Sequence, residues 1–354
     1  MIRTAVVFSP RYYQHDTGVG HPESARRLRA IISELKRGQL SKSRKWMFVE
    51  PKKASVEDVE SIHDKGYVEH VRKVCKSGGG LLDSGDTMVS PNSFEVALYA
   101  AGGALRAMNL VMKREFENAF ALVRPPGHHA EKFHACGFCI FNNIGIAAQY
   151  LLRKFNLKRV LIFDIDAHHG NGTQEAFYET ARVLYISLHE DPLGFPGTGF
   201  IDEVGEGDGL GYNVNIPLPF RTDDRIYLKA VAEIGVPIIR QYRPQFILVS
   251  AGFDGHYTDP VGSLSLSVLC YEKVFETMVN LASQTCNGKL VAILEGGYSP
   301  KFVGKMTALA IAKMSQSPYI ADDRVPVFRK KVRMQGENVL REVKKVQRGF
   351  WNID

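Results

Sequence analysis

The stretch "RVLIFDIDAHHGNG", residues 159–172, runs apolar and then abruptly charged. Its first half has no polar alternation, as in a strand buried on both faces of a parallel sheet. Its second half packs Asp164, Asp166, His168 and His169 into six positions. A core does not tolerate unpaired charge. The strand must therefore end where the charge begins, with the charged residues at its mouth. Similar apolar runs are "TAVVF" (4–8), "AFALV" (119–123), "RVLYISL" (182–188), "QFILVS" (245–250) and "KLVAIL" (289–294). Four of these also lead into polar or glycine-rich segments: "RPPGHHA", "HEDP", "AGFDGHYTDP" and "EGGYSP".

Helix-like segments lie between most of the runs, at 93–115, 143–155, 223–242 and 265–284. Alternating strand and helix predicts an α/β fold: one doubly wound, mostly parallel sheet flanked by helices. In such sheets ligands bind beyond the carboxyl ends of the strands. The pattern is unbroken from residue 4 to about 295, which predicts a single domain over 1–354. A basic C-terminal helical segment is expected at about 325–354, around "FRKKVRMQGENVLREVKKVQRGFW".

The composition, 45% hydrophobic and 23% charged, is that of a globular chain with material for a large core. No apolar run is long enough to span a membrane. The start, "MIRTAVVFSP", reads as a first strand and not as a signal peptide. The five cysteines suit a reduced, cytoplasmic protein. The net charge of +7 comes from scattered basic residues, so it does not by itself indicate nucleic-acid binding. A homo-oligomer is compatible with the sequence.

Asp166-x-His168 is a short chelating spacer, and carboxylate plus imidazole suits zinc or a similar divalent ion. On an extended chain Asp164, Asp166 and His168 would share one face, and His169 would point away. A catalytic zinc site needs about three protein ligands. Asp254, after "FILVSAGF", is the best-placed third. No cysteine occupies these positions, which argues against a closed structural zinc site. Asp-x-Asp segments also cap turns, so a purely structural role is the competing reading. His128 and His129 offer proton transfer near neutral pH. Asp164 is suited to orienting one of them. Tyr298, after two glycines, is suited to donating to a developing oxyanion.

Together these segments resemble the histone deacetylase and acetylpolyamine amidohydrolase family, which has the arginase–deacetylase fold. The resemblance runs from "HDTGVGHPESARRL" (15–28) to "EGGYS" (295–299), through "RPPGHHA", "GFCIFNN", "DIDAHHGNGTQEAFY", "SLHEDPLGFPGTG" and "SAGFDGHYTDPVG". It implies one zinc ion per chain on Asp166, His168 and Asp254. It implies a catalytic pair, His128 and His129, with His129 the general base and acid, Asp164 behind His128, and Tyr298 polarising the acyl carbonyl. Gly137, Phe138 and Phe195 match the acyl-lysine tunnel, and Asp86 its rim. A structural potassium ion maps to Asp164, Asp166, His168, Ser187 and Leu188. A second monovalent site maps to Phe177, Thr180, Val183 and Tyr212.

Arginases share the fold but carry further aspartates for a second manganese. Here His169-Gly170-Asn171 and Gly252-Phe253 stand there instead, so one metal is expected. Asn171 replaces an aspartate of many class I members, as in class II-like members.

The expected activity is removal of an acetyl or other short acyl group from acyl-lysine. An acetylpolyamine or other small acyl-amine is the alternative substrate. A non-catalytic acyl-lysine reader or scaffold is the competing class. In eukaryotic polyamine deacetylases the residue after "DP" is an acidic gatekeeper; here it is Val261. Glu95 or Asp86 could supply acidity instead. Arg26 and Arg27 could reach the inner end of the site or lie on a helix surface. Cys136 and Cys139 form a C-x-x-C without the βαβ context of a redox motif.

Overall fold

The computed structural model describes residues 3–354. Met1 and Ile2, at the head of the expected first strand, lie outside the described residues.

Ten strands form among the described residues: β1 (Thr4–Val7), β2 (Trp46–Val49), β3 (Gly80–Leu81), β4 (Met88–Val89), β5 (Asn118–Ala121), β6 (Val160–Asp164), β7 (Val183–Glu190), β8 (Asn213–Leu218), β9 (Phe246–Ala251) and β10 (Leu290–Leu294). Eight of them make one sheet in the order β2-β1-β5-β10-β9-β6-β7-β8. Every neighbouring pair in it is parallel. β3 and β4 pair apart as a small antiparallel ribbon. This is the α/β architecture expected of the apolar runs. β1, β5, β6, β7, β9 and β10 are buried along their whole length, because helices cover both faces.

Two sheet strands, β2 and β8, do not stand out among the apolar runs. Both are edge strands. β8 alternates Asn213 and Asn215 with apolar residues and contains Pro217, so it lacks the apolar run of a central strand. The helix Lys330–Gln347 packs against β8, with only Gly336, Leu340, Val343 and Gln347 buried.

The helices at Ser93–Met112, Asn143–Lys154 and Val268–Cys286 fall close to their expected places. The helix expected over 223–242 is α-helical at Asp224–Ala230 and Val236–Tyr242, with a π-turn over Val231–Gly235 between. Pro237 has no N–H to donate, and the wider turn lies directly before it. No helix among the described residues is long and apolar enough to cross a membrane.

The order β5-β10-β9-β6-β7 places five strand ends side by side. At register level, Asp164 stands beside Ser187 on one neighbour and Ser250 on the other. The five loops that follow these strands therefore meet over the middle of one sheet edge.

Candidate active site

β6 ends at Asp164, so the alternating-face pattern does not extend to Asp166 and His168. Asp164 Oδ1 instead accepts the backbone N–H of Asp166 at 3.1 Å, and Asp166 Oδ1 accepts that of His168 at 3.0 Å. These two side-chain-to-backbone turns are the structural role expected of an Asp-x-Asp segment. They also bend the chain so that Asp166 and His168 meet Asp254. Nδ1 of His168 lies 2.9 Å from Asp254 Oδ2 and 3.3 Å from Asp166 Oδ1.

Ligand atoms of Asp166, His168 and Asp254 all lie within 4.8 Å of one another, and all three residues are buried. Asp254 Oδ1 accepts from Ala167 N at 2.8 Å, and Asp166 Oδ2 from Gly296 N at 2.8 Å. The close approach requires glycine: a Cβ at Gly252 or Gly296 would collide with Asp166 Oδ2. Burial disfavours the His168 imidazolium, yet Asp166 and Asp254 raise its pKa well above the ordinary value. Burial, with Asp166 alongside, raises that of Asp254. Two carboxylates and one imidazole thus converge where a positive charge is demanded. In number and chemistry they fit a catalytic zinc site.

The rings of His128 and His129 lie tilted against each other with centroids 4.0 Å apart, but their partners differ. His128 Nδ1 is 3.1 Å from Asp164 Oδ2, and its Nε2 is 3.7 Å from Asp166 Oδ1. Burial would lower its pKa; Asp166 and Asp164 outweigh it and carry it up to about 10. His129 Nδ1 is 2.8 Å from Asn171 Oδ1. Burial and the neighbouring His128 cation hold His129 well below its ordinary value. The two rings are thus shifted in opposite directions, His128 upward and His129 downward. The loop that carries them is anchored by Glu295, whose Oε2 accepts from Gly127 N at 2.6 Å and His128 N at 3.2 Å.

A cavity of about 340 Å³ opens over these groups. Of the residues expected in a tunnel, Gly137, Phe138, Phe195, Val261 and Asp86 all line it, together with His129, His168 and Tyr298. Phe195 lies edge-on to His129 and His168, at centroid distances of 5.0 and 5.8 Å. Phe138 lies edge-on to Tyr298 at 5.5 Å. Gly137 and Phe138 occupy a tight turn with φ of +53° and +67°, closed by Cys139 N donating to Cys136 O at 2.8 Å.

Tyr298 is positioned from two sides. Asp259 Oδ2 accepts its backbone N–H at 2.7 Å, and the guanidinium carbon of Arg27 sits 4.8 Å from its ring centroid. Burial keeps the phenol well above its ordinary pKa, so it remains a donor.

Other residues fall elsewhere. Glu95 does not supply acidity here: it pairs with Lys53 at 2.9 Å and lines a separate cleft with Arg72 and Lys76. Arg27 is buried, with its Nε donating to Gly297 O at 2.7 Å, whereas Arg26 is exposed. His169 turns away from Asp254, towards Thr198 Oγ1 at 2.9 Å and Gln174 Oε1 at 3.1 Å. Ser187 stands beside Asp164 with its Oγ 2.8 Å from His189 Nδ1, and Leu188 follows it in β7. Phe177 O accepts from Thr180 N, Tyr212 O accepts from Tyr185 N, and Val183 begins β7. All five cysteines are free thiols. Burial pushes Cys136 up to about 12, which disfavours a reactive thiolate.

Glu190, Ser263, Gly194 and Phe220 also line the cavity without having been expected there. Glu190 closes β7 at the "HEDP" loop, a strand-end position that was the available signal.

The histone deacetylase domain model matches residues 21–314. A probable deacetylase of Archaeoglobus fulgidus is 44% identical over 308 residues, covering 87% of this chain and 85% of the relative. A histone deacetylase-like amidohydrolase of Pseudomonas aeruginosa is 35% identical over 292 residues, covering 82% and 76%. The crystal structure of the HDA15 HD domain superimposes with a TM-score of 0.88 at 32% identity, covering 99% of this chain and 95% of that one. A match over most of the chain, on the fold whose sheet edge gathers these loops, places it: the chain belongs to the histone deacetylase family.

Proposed function

We propose that this chain is a zinc-dependent deacetylase that hydrolyses the acyl amide of an acyl-lysine side chain, acting as one catalytic domain. One observation carries the reading: the Asp166–His168–Asp254 cluster, the His129 imidazole and the Tyr298 phenol meet at a single cavity with aromatic walls. The narrow apolar wall from Phe138 and Phe195 suits a neutral alkyl amide. When bound by the three ligands, zinc supplies Lewis acidity to an acyl carbonyl and an acidified water.

The remaining work falls to the chain's own groups. With Nδ1–H directed to Asn171, His129 has Nε2 free to take a proton from the attacking water. His128 stays protonated against Asp164 and contributes positive charge beside the reacting centre. Tyr298 donates to the oxyanion as it develops. His129 then returns its proton to the departing amine, which leaves acetate and a free amine. In the same reading, potassium beside Asp164 and Ser187 would be structural.

Asp86 and Glu190 place carboxylates in the cavity wall, which favours a small cationic acyl-amine as the second reading. A fluorogenic acetyl-lysine peptide, acetylputrescine and acetylspermidine, each assayed with and without chelator, separate the readings. Chelator-sensitive turnover fastest on the peptide is expected. Binding of the peptide without any turnover of the three would instead make the chain a reader. Fastest turnover of the polyamines would move the substrate to the second class.

A further inference from the structure

Glu190, the last residue of β7, takes no part in the proton transfers above. It is 5% exposed, and among the described residues its one ion-pair partner is His168. A buried carboxylate without a counter-charge is costly, so its surroundings must answer it. Three contacts tie it to both loops of the candidate metal cluster. Its backbone N–H donates to Ala167 O at 2.7 Å, between Asp166 and His168. Its Oε2 accepts from Ser263 N at 2.5 Å, on the loop that carries Asp254. Its Oε1 lies 3.7 Å from Nε2 of His168, the ring nitrogen opposite the one that faces Asp166 and Asp254.

We propose that Glu190 is a positioning residue of the metal site, its carboxylate facing Nε2 of His168 at 3.7 Å and favouring the proton there by charge, so that Nδ1 is the nitrogen offered to the metal. This rests on the reading of Asp166, His168 and Asp254 as zinc ligands. The outer nitrogen of a metal-bound histidine usually donates to a carboxylate or carbonyl, which fixes tautomer and ring direction. The side-chain type is specific. Ser263 N–H and His168 Nε2–H are both donors, and a carboxylate has an acceptor oxygen for each. Glutamine has the same shape but one acceptor, so it must set an NH₂ against one of the two donors.

The test compares zinc-loaded parent, Glu190→Gln and Glu190→Ala by the rate of zinc release to a chromogenic chelator. Melting temperatures of the metal-free forms, and visible bands of the cobalt-loaded forms, are recorded alongside. Release about 10- to 100-fold faster in both variants is expected, with shifted cobalt bands and nearly unchanged metal-free melting. Release within twofold of the parent overturns the proposal, even if metal-free melting falls, since Glu190 would then serve the fold alone. Unchanged release with a higher KM for cationic acyl-amines overturns it too and makes Glu190 a substrate contact. If the parent takes up no zinc, the functional reading falls and this proposal with it. If the parent is loaded and the variants hold zinc equally well, only the positioning role falls.

Discussion

Oδ1 of Asn171 lies 2.8 Å from Nδ1 of His129, and Nδ2 of the same amide donates to Glu131 Oε1 at 2.8 Å. Glu131 thereby fixes which end of the amide faces the ring. The histidine must carry its proton on Nδ1, which leaves Nε2 basic. Asn171→Ala should lower kcat about 10- to 100-fold by releasing this tautomer. Asn171→Asp should act on pH instead. A carboxylate stabilises the imidazolium and raises the pKa of His129, and a base works only when neutral. The acid limb of the kcat/KM profile should therefore move to higher pH. A limb that stays in place would remove His129 as the base.

Asp166→Ala and Asp254→Ala each take one carboxylate from a three-residue cluster. Metal analysis after exhaustive dialysis should find far less than one zinc per chain, and turnover should fall by at least about 10³-fold. Full zinc content in both variants would place the ion elsewhere.

Tyr298→Phe leaves the cluster untouched. Zinc content should equal the parent's, with kcat down about 10²- to 10³-fold and KM changed little, as for loss of one oxyanion donor. Steady-state kinetics on metal-quantified protein decide it.

Glu23 sits beneath this edge, fully buried, with Oε1 accepting from Arg124 Nε at 2.7 Å and Arg27 at 3.3 Å. Burial alone would raise its pKa, but Arg124, His15 and Arg27 draw it down to about 2. A depressed folded pKa means the pair's stabilisation is full above the unfolded value near 4.5 and fades as pH falls towards 2. Glu23→Gln leaves two buried guanidinium groups under-compensated, at a cost of about 3–5 kcal/mol. Thermal melts at pH 7 should show the variant several degrees lower, and the gap should narrow between pH 4.5 and 2. A gap constant over that range would show that Glu23 acts through packing instead of charge.

Much of this was readable from residue type. An uninterrupted apolar run reports burial on both faces, and the polar segments after five runs marked the strand mouths. The order of the strands was not readable, because parallel connections say which strand follows in sequence and not which lies beside it. The strand β8 is not legible in the sequence because Asn213, Asn215 and Pro217 are typical of loops, though here Asn213 and Asn215 donate to Gln174 Oε1. Glu190 and Glu295 were equally quiet: a glutamate beside a strand end looks the same whether it faces solvent or a backbone amide. Glu95 misled in the opposite sense, its charge being spent on Lys53.

The loops of the candidate metal cluster follow β6 and β9, which touch in the sheet although more than eighty residues separate Asp166 from Asp254 along the chain. In a disordered chain these groups do not meet, so uptake of an ion waits on long-range assembly. A ligand that binds only the native state shifts the folding equilibrium by RT ln(1 + [L]/Kd). If the cluster binds zinc as proposed, metal supply in the cell would thus set how much of this protein persists folded, as well as what fraction of it is loaded.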